Sequence, residues 1–277
     1  MSLEHNLVLI FAAMMAGAVN SVAGGGTLLT FPALLWAGQT AKIANATSTV
    51  ALWPGQLSSL LGYRRKIGRS HTAILCLGLP SLVGGGIGAL LLLRTPASTF
   101  ARLVPFLILM ATVLFALQEP LTRLLRARAR RRARQEDSAA SEPPPVEEDD
   151  NLEAASWRRW AAVMLYQLFV AIYGGYFGAG IGILMLAALG FMGFTNIHRM
   201  NGLKNLNGLC INGVAVTLFM ANRLVNWHVA LMMASGAIVG GYGGSGIAQR
   251  IGQRNVRRLV ILIGLGLALY LLLQGWR

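Results

Sequence analysis

One lysine in this 277-residue chain sits where a charge is hard to explain. In the stretch MNGLKNLNGLCIN, Lys204 interrupts an apolar run and is accompanied at helical spacing by Asn201, Asn205, Gly208 and Asn212. An ammonium three residues inside a membrane span costs about 2.5–3.5 kcal/mol on insertion scales, unless the side chain snorkels to the interface or meets an anion. No carboxylate is at hand, because eight of the ten acidic residues lie between Glu136 and Glu153 and the others are Glu4 and Glu119. A second polar run, IANATSTVALWPGQ, places Asn45, Ser48, Thr49 and Gln56 on a helix in the same way. Amides, hydroxyls and one cation are the groups that replace the hydration of an oxyanion. Snorkelling of Lys204 and simple helix bridging by the Asn, Ser and Thr side chains are the competing readings.

Glycines supply the second candidate feature. VNSVAGGGTLLTFP carries Gly24, Gly25, Gly26 and Thr27, and GGYFGAGIG carries Gly180 and Gly182, both inside apolar segments. Each glycine inside a helix costs about 1 kcal/mol relative to alanine. As one straight helix, Leu7 to Gly38 would be about 48 Å long, too long for a ~30 Å hydrocarbon core without strong tilt. A hairpin of two shorter helices turning at the glycines fits better. Helices restarting at about Thr27 and Ile183 would then aim unpaired N–H groups and a partial positive charge at the midplane, which suits an anion. The other glycine group, Gly84, Gly85 and Gly88 with Gly240, Gly241 and Gly244, reads as close helix packing.

Catalytic and metal chemistry find no support. His5, His71, His198 and His228 fall at the ends of apolar segments, without metal-ligand spacing and without a serine–acid set. Cys76 and Cys210 read as small buried side chains. The expectation is therefore no enzyme, no metal and no cofactor.

The elements that must hold these residues follow from composition. Hydrophobic residues make up 55% of the chain and charged residues only 12%, which places it in a membrane. Spanning segments are expected at residues 43–62, 72–93, 103–117, 160–177, 201–220, 229–247 and 260–273. Between them RLLRARARRRARQED and the acidic, proline-rich SAASEPPPVEEDDN read as a charged linker over residues 121–156. It separates a first membrane repeat, 1–120, from a second, 157–277. The arginine run fits a cytoplasmic, lipid-touching segment rather than a nucleic-acid site, since it has no interleaved aromatics. Sliding the chain by 156 residues without gaps sets Gly24 and Gly26 on Gly180 and Gly182, and Asn45 on Asn201. It also sets Arg94 and Arg102 on Arg250 and Arg258. Loop charge is reversed between the copies: Arg64, Arg65, Lys66 and Arg69 crowd one loop whose counterpart has Arg223 alone, whereas Arg250, Arg254, Arg257 and Arg258 crowd the other. The expected fold is therefore an all-α polytopic membrane protein built as an inverted-topology repeat, each half a broken-helix hairpin plus three transmembrane helices. The amino-terminal apolar run lacks a basic start and matches its repeat partner, so it is expected to be retained.

The pattern AGGGTLLTFPALL, ANATSTVALWPGQLSSLLGYRRK, GGYFGAGIGILML, MNGLKNLNGLCINGVAVTLF and GAIVGGYGG resembles the TauE/SafE family of sulfite exporters over nearly the whole chain outside the linker. The resemblance implies a multi-pass permease of the bacterial inner membrane for sulfite, sulfonates such as sulfoacetate, or related organosulfur anions, driven by ion gradients. Its carry-over marks the turns Gly24–Thr27 and Gly178–Gly182 and the polar helices bearing Asn45, Ser48, Thr49, Asn201, Lys204 and Asn205. Membrane lipid is an expected partner and nucleic acid is not; proton coupling and a homodimer stay open. The rival reading is a membrane scaffold that docks a partner through the charged linker. If the repeats are inverted, Lys66→Cys and Arg254→Cys, each placed in a chain whose own cysteines are replaced by serine, will react with an impermeant maleimide from the same, cytoplasmic face. Labelling from opposite faces would refute the arrangement.

Overall fold

A computed structural model describes residues 3–22, 24–63, 71–137, 157–192, 194, 197–251 and 253–275. Among these residues the chain is all-helical: α1 Leu3–Val22, α2 Thr27–Trp36, α3 Ala41–Tyr63, α4 His71–Arg94, α5 Ala97–Asp137, α6 Trp157–Tyr176, α7 Ile181–Met192, α8 Ile197–Ala221, α9 Trp227–Ile251 and α10 Gln253–Gly275. The loop 64–70 and the acidic stretch 138–156, which carry part of the orientation and linker arguments, lie outside the described residues, as do the side chains of His71, His198, Gly244, Arg250, Arg254 and Arg257.

The distribution of polarity is that of a protein made for lipid. Large apolar side chains such as Phe11, Leu75, Leu79, Phe106, Leu231, Leu262 and Leu269 face outward, while Thr30, Asn45, Ser48, Gln167, Lys204, Asn205 and Asn212 are buried. A water-soluble chain would not leave so much apolar surface exposed. Among the described residues, Leu3–Asn20, Thr72–Arg94 and Ala97–Leu117 are each long and apolar enough to cross a membrane. The buried polar groups are satisfied locally where they bridge helices: Gln167 Nε2 donates to Ser81 Oγ at 2.8 Å, and Ser81 Oγ donates to the Leu77 carbonyl at 2.7 Å.

The helices pack as two copies of one unit. Helices α8, α9 and α10 each start 156 residues after α3, α4 and α5. Their contacts exchange in pairs: α1 packs on α9 and α6 on α4, α3 packs on α9 and α8 on α4, and α2 packs on α10 and α7 on α5. Among the described residues α3 with α8 and α5 with α10 pack against their own equivalents, so these pairs lie on the axis of exchange. The hairpins, however, follow a shift of 154 residues, because α7 is two residues longer than α2. The ungapped alignment is therefore corrected there, and Gly24 corresponds to Gly178 rather than Gly180.

The first part of the expected linker is helical: the arginine run continues α5, which reaches Asp137. Arginine and alanine are both strong helix formers, which suits that continuation. At 1.5 Å per residue the 41-residue helix is roughly 60 Å long, about twice a hydrocarbon core.

Close packing between α4 and α6 depends on glycine. A Cβ on Gly175 would lie 2.9 Å from the Gly85 carbonyl carbon and 3.0 Å from the Ala89 nitrogen, all backbone atoms that cannot swing aside. Gly175→Leu is expected to force these helices apart at a cost of about 1–3 kcal/mol or more, read as a lower melting temperature in detergent. An unchanged melting temperature would contradict this packing.

Candidate functional site

Each half contributes a hairpin whose turn is built the same way. Helix α1 closes with the Gly24 N–H donating to the Val19 carbonyl at 3.2 Å, and α6 closes with the Gly178 N–H donating to the Tyr173 carbonyl at 3.2 Å. Both glycines sit in the left-handed region, at φ +75° and +80°, where a side chain would be strained. The chain then reverses into α2 at Thr27 and α7 at Ile181. At the first turn the Gly26 N–H donates to Asn20 Oδ1 at 2.8 Å, and at the second Tyr173 Oη donates to the Ala179 carbonyl at 2.7 Å.

The two turns face a cavity of about 40 Å³, roughly three times the ~10–15 Å³ that admits one water. The first turn supplies Gly24, Gly25 and Thr27 to its lining, and the second supplies Phe177, Gly178, Ile181 and Gly182. Thr49, Leu52 and Gln56 come from α3, and Lys204, Asn205, Gly208 and Asn212 from α8, with Asn20 of α1 and Met185 of α7 completing the wall. Three of these are equivalent pairs: Thr49 with Asn205, Leu52 with Gly208, and Gln56 with Asn212. The cavity thus lies where the exchange axis passes between α3 and α8. Asn212 Nδ2 donates to Gln56 Oε1 at 3.0 Å, and Trp53 Nε1 donates to the Leu209 carbonyl at 3.3 Å, joining equivalent positions across the axis.

Lys204 is 3% exposed, so it does not snorkel. Among the described residues no group hydrogen-bonds its Nζ, and the same holds for Asn205 Nδ2 beside it in the lining. The starts of α2 and α7, also in the lining, present the positive end of a helix dipole. Among the described residues no His, Cys, Asp or Glu cluster could hold a metal ion.

The structure gathers Gly24, Gly25, Thr27, Thr49, Gly182, Lys204 and Asn205 around the cavity. The other expected residues lie behind that lining. Gly26 is held by Asn20, and Asn45 donates from Nδ2 to the Tyr176 carbonyl at 3.1 Å. Ser48 Oγ pairs with Thr30 Oγ1 at 2.6 Å, and Gly180 faces Ala111 and Leu114 of α5. Asn201 stands one turn before Asn205, with its Oδ1 buried and unbonded. Asn20 was not among the expected site residues, although its place four residues before the turn glycine is where a side chain can reach the restarting helix. Phe177 and Met185 had no signal beyond hydrophobicity.

Phe177, in the cavity wall, is backed by further aromatic rings. Phe177 packs edge-on against Phe31 at 5.4 Å between centroids and lies 6.5 Å from Phe100, which stands edge-on to Tyr176 at 5.6 Å. Behind them Lys42 Nζ donates to the carbonyls of Thr95 at 2.8 Å and Leu93 at 3.2 Å, tying α3 to the end of α4.

Residues 9–271 match the family profile described as sulfite exporter TauE/SafE. The chain belongs to the TauE/SafE family. Similar curated proteins include a "probable membrane transporter protein" of Haemophilus influenzae, 25% identical over 97% of this chain and 95% of that one. The "probable membrane transporter protein ORF9" of a Sinorhizobium species is 27% identical over 97% of this chain and 93% of its own length. "Probable membrane transporter protein YfcA" of Escherichia coli K12 is 27% identical over 92% of this chain and 85% of its own. No solved structure matches. In this TauE/SafE member the Asn20 oxygen is what holds the first turn against α1. Asn20→Ala is expected to leave the buried Gly26 N–H without an acceptor and to cost about 1–3 kcal/mol, measured as thermal unfolding in detergent. No loss would remove Asn20 from this role.

Proposed function

We propose that the protein carries small oxyanions, with sulfite, sulfoacetate or a related sulfonate as the class, across the bacterial inner membrane as a multi-pass secondary transporter. The cavity between the hairpin turns is the carrying site. The observation that supports this best is the Lys204 ammonium, buried and unbonded among the described residues, on a side chain that lines the cavity together with Asn205, whose Nδ2 is also unbonded, and the starts of α2 and α7. A cation and an unpaired donor beside two helix starts favour an acceptor-rich anion. The family membership supports the same class of cargo.

Alternating access follows from inverted halves, and the sense of packing supports that arrangement. Close approaches between α1 and α9 rise together, from Ile10 beside Gly236 through Met14 beside Gly240 to Gly17 beside Gly241, and Gly55 and Ser58 of α3 meet Ala237 and Gly241 in the same sense. Consecutive spans alternate in direction, so α4 opposes α3, and hence opposes α9. Since α4 and α9 are equivalent, the halves point opposite ways, and rocking one against the other opens the axial cavity to each side in turn.

Purified protein in proteoliposomes is expected to take up ³⁵S-sulfite or ¹⁴C-sulfoacetate saturably. Lys204→Met should reduce uptake at least about tenfold, given about 1.5–3 kcal/mol for a hydrogen bond to a charged group. Absence of any substrate-dependent flux in the unaltered protein would favour a scaffold and sink the transport reading.

A further inference from the structure

We infer that the carrier is an anion exchanger: its site crosses the membrane only when an anion accompanies Lys204. This rests on the transport reading above and goes beyond it in assigning the mode of coupling. Three observations lead there. First, Lys204 is sealed from solvent, and among the described residues no group bonds its ammonium. Second, the chain has no acidic residue between Glu4 and Glu119 or after Glu153, so α2, α3, α7 and α8, whose residues line the cavity, contain no carboxylate to pair with it. Third, the position equivalent to Lys204 in the other half is Ser48, whose hydroxyl is engaged by Thr30. The same lysine must therefore serve the site from both sides.

An alternating carrier passes through a state in which the site is shut from both aqueous faces. With an anion bound, the ammonium is paired there and the loaded site is neutral for a monoanion. Empty, it holds a bare cation in a low-dielectric interior beside helix N-termini and an amide that all add positive potential, which is strongly unfavourable. The empty return leg is thus slow and the loaded return leg is fast. Exchange of like-charged anions in the two directions moves no net charge, so the exchange rate is insensitive to membrane potential.

The test uses the full chain in proteoliposomes under anaerobic conditions, with external ³⁵S-sulfite and an interior holding either unlabelled sulfite or sucrose of equal osmolarity. Internal sulfite is expected to raise the initial uptake rate at least about tenfold, a ratio set by the penalty for an unpaired cation at the bilayer centre. A potential imposed with potassium and valinomycin should leave the exchange rate unchanged. Equal rates with and without internal sulfite would overturn exchange while leaving transport standing. No flux under either condition would instead overturn the transport reading. Uptake into sucrose-loaded vesicles with one proton per anion, read by an internal pH dye, would also overturn exchange, since Lys204 would then be returning deprotonated. In Lys204→Met the remaining flux should lose its dependence on internal sulfite. A tenfold ratio kept in that variant would overturn the assignment to this lysine, and where the variant carries no flux the ratio in the unaltered protein decides.

Discussion

An ammonium shut away from water with no carboxylate in reach constrains everything built around it. Lys204 is held in that situation, and it shares its cavity with the unbonded amide nitrogen of Asn205, the amino-terminal ends of α2 and α7, and the neutral polar side chains of Asn20, Thr49, Gln56 and Asn212. A helix that runs unbroken through a bilayer has its interior N–H groups spent on its own carbonyls and can offer none to a solute. Helix starts become available at mid-bundle only if the chain stops, turns and restarts there. The hairpins are therefore a consequence of the site, and the left-handed glycines at positions 24 and 178 are what allow the reversal in so little space. Interrupted backbone must in turn be covered by protein, and α5 does this at both turns, with Phe115 over Gly25 and Ala111 and Leu114 beside Gly180.

Twofold exchange supplies two such turns from one design, but a charged site on the axis cannot be fully symmetric. Two lysines at equivalent positions would bring two ammonium groups to one small cavity, and their repulsion would add to the desolvation of both. One copy has lysine and the other has Ser48, withdrawn into a hydrogen bond with Thr30 on the neighbouring helix. The pairs that remain similar, Thr49 with Asn205 and Gln56 with Asn212, are neutral and can face each other without that penalty. Leu52 opposite Gly208 is a second departure: the missing side chain on α8 leaves space on the axis that two leucines would fill.

What could be read from residues alone was what depends on composition and short-range period. The spans, the breaks at VAGGGTL and FGAGIG, and the misplaced lysine are of this kind, and the structure has a helix or a turn at each of them. Whether Lys204 snorkels was not decidable from its position in the run, because that depends on what packs over it; burial among α8, the second turn and α3 settles its exposure. The two-residue slip of the hairpin register was hidden because matching glycines lie two apart in both turns, so that a shift of 154 or 156 finds a glycine either way. Asn20 was invisible for a related reason: its partner, the Gly26 amide, is brought to it only by the turn. The helical course of the arginine run was left unread, although its arginines and alanines are strong helix formers.

Asymmetry also bears on the cycle of any carrier built on this plan. Phe177 in the cavity wall is backed by Phe31, Phe100 and Tyr176 on the side where α4 ends and α5 begins, reinforced by Lys42 on the carbonyls of Leu93 and Thr95. The positions that correspond to these four in the other half are Met185, Val256, Val22 and Ala23, none of them aromatic. Edge-to-face ring pairs add about 0.5–1.5 kcal/mol each beyond the area they bury. The state closed on the aromatic side therefore gains contacts that its counterpart, closed on the opposite side, has no residues to reproduce. Two states related by exchange of the halves are equal in energy only if the halves are equal in sequence. Here they are not, so a carrier that alternated between two such states would hold them at unequal populations, with closure over Phe177 favoured.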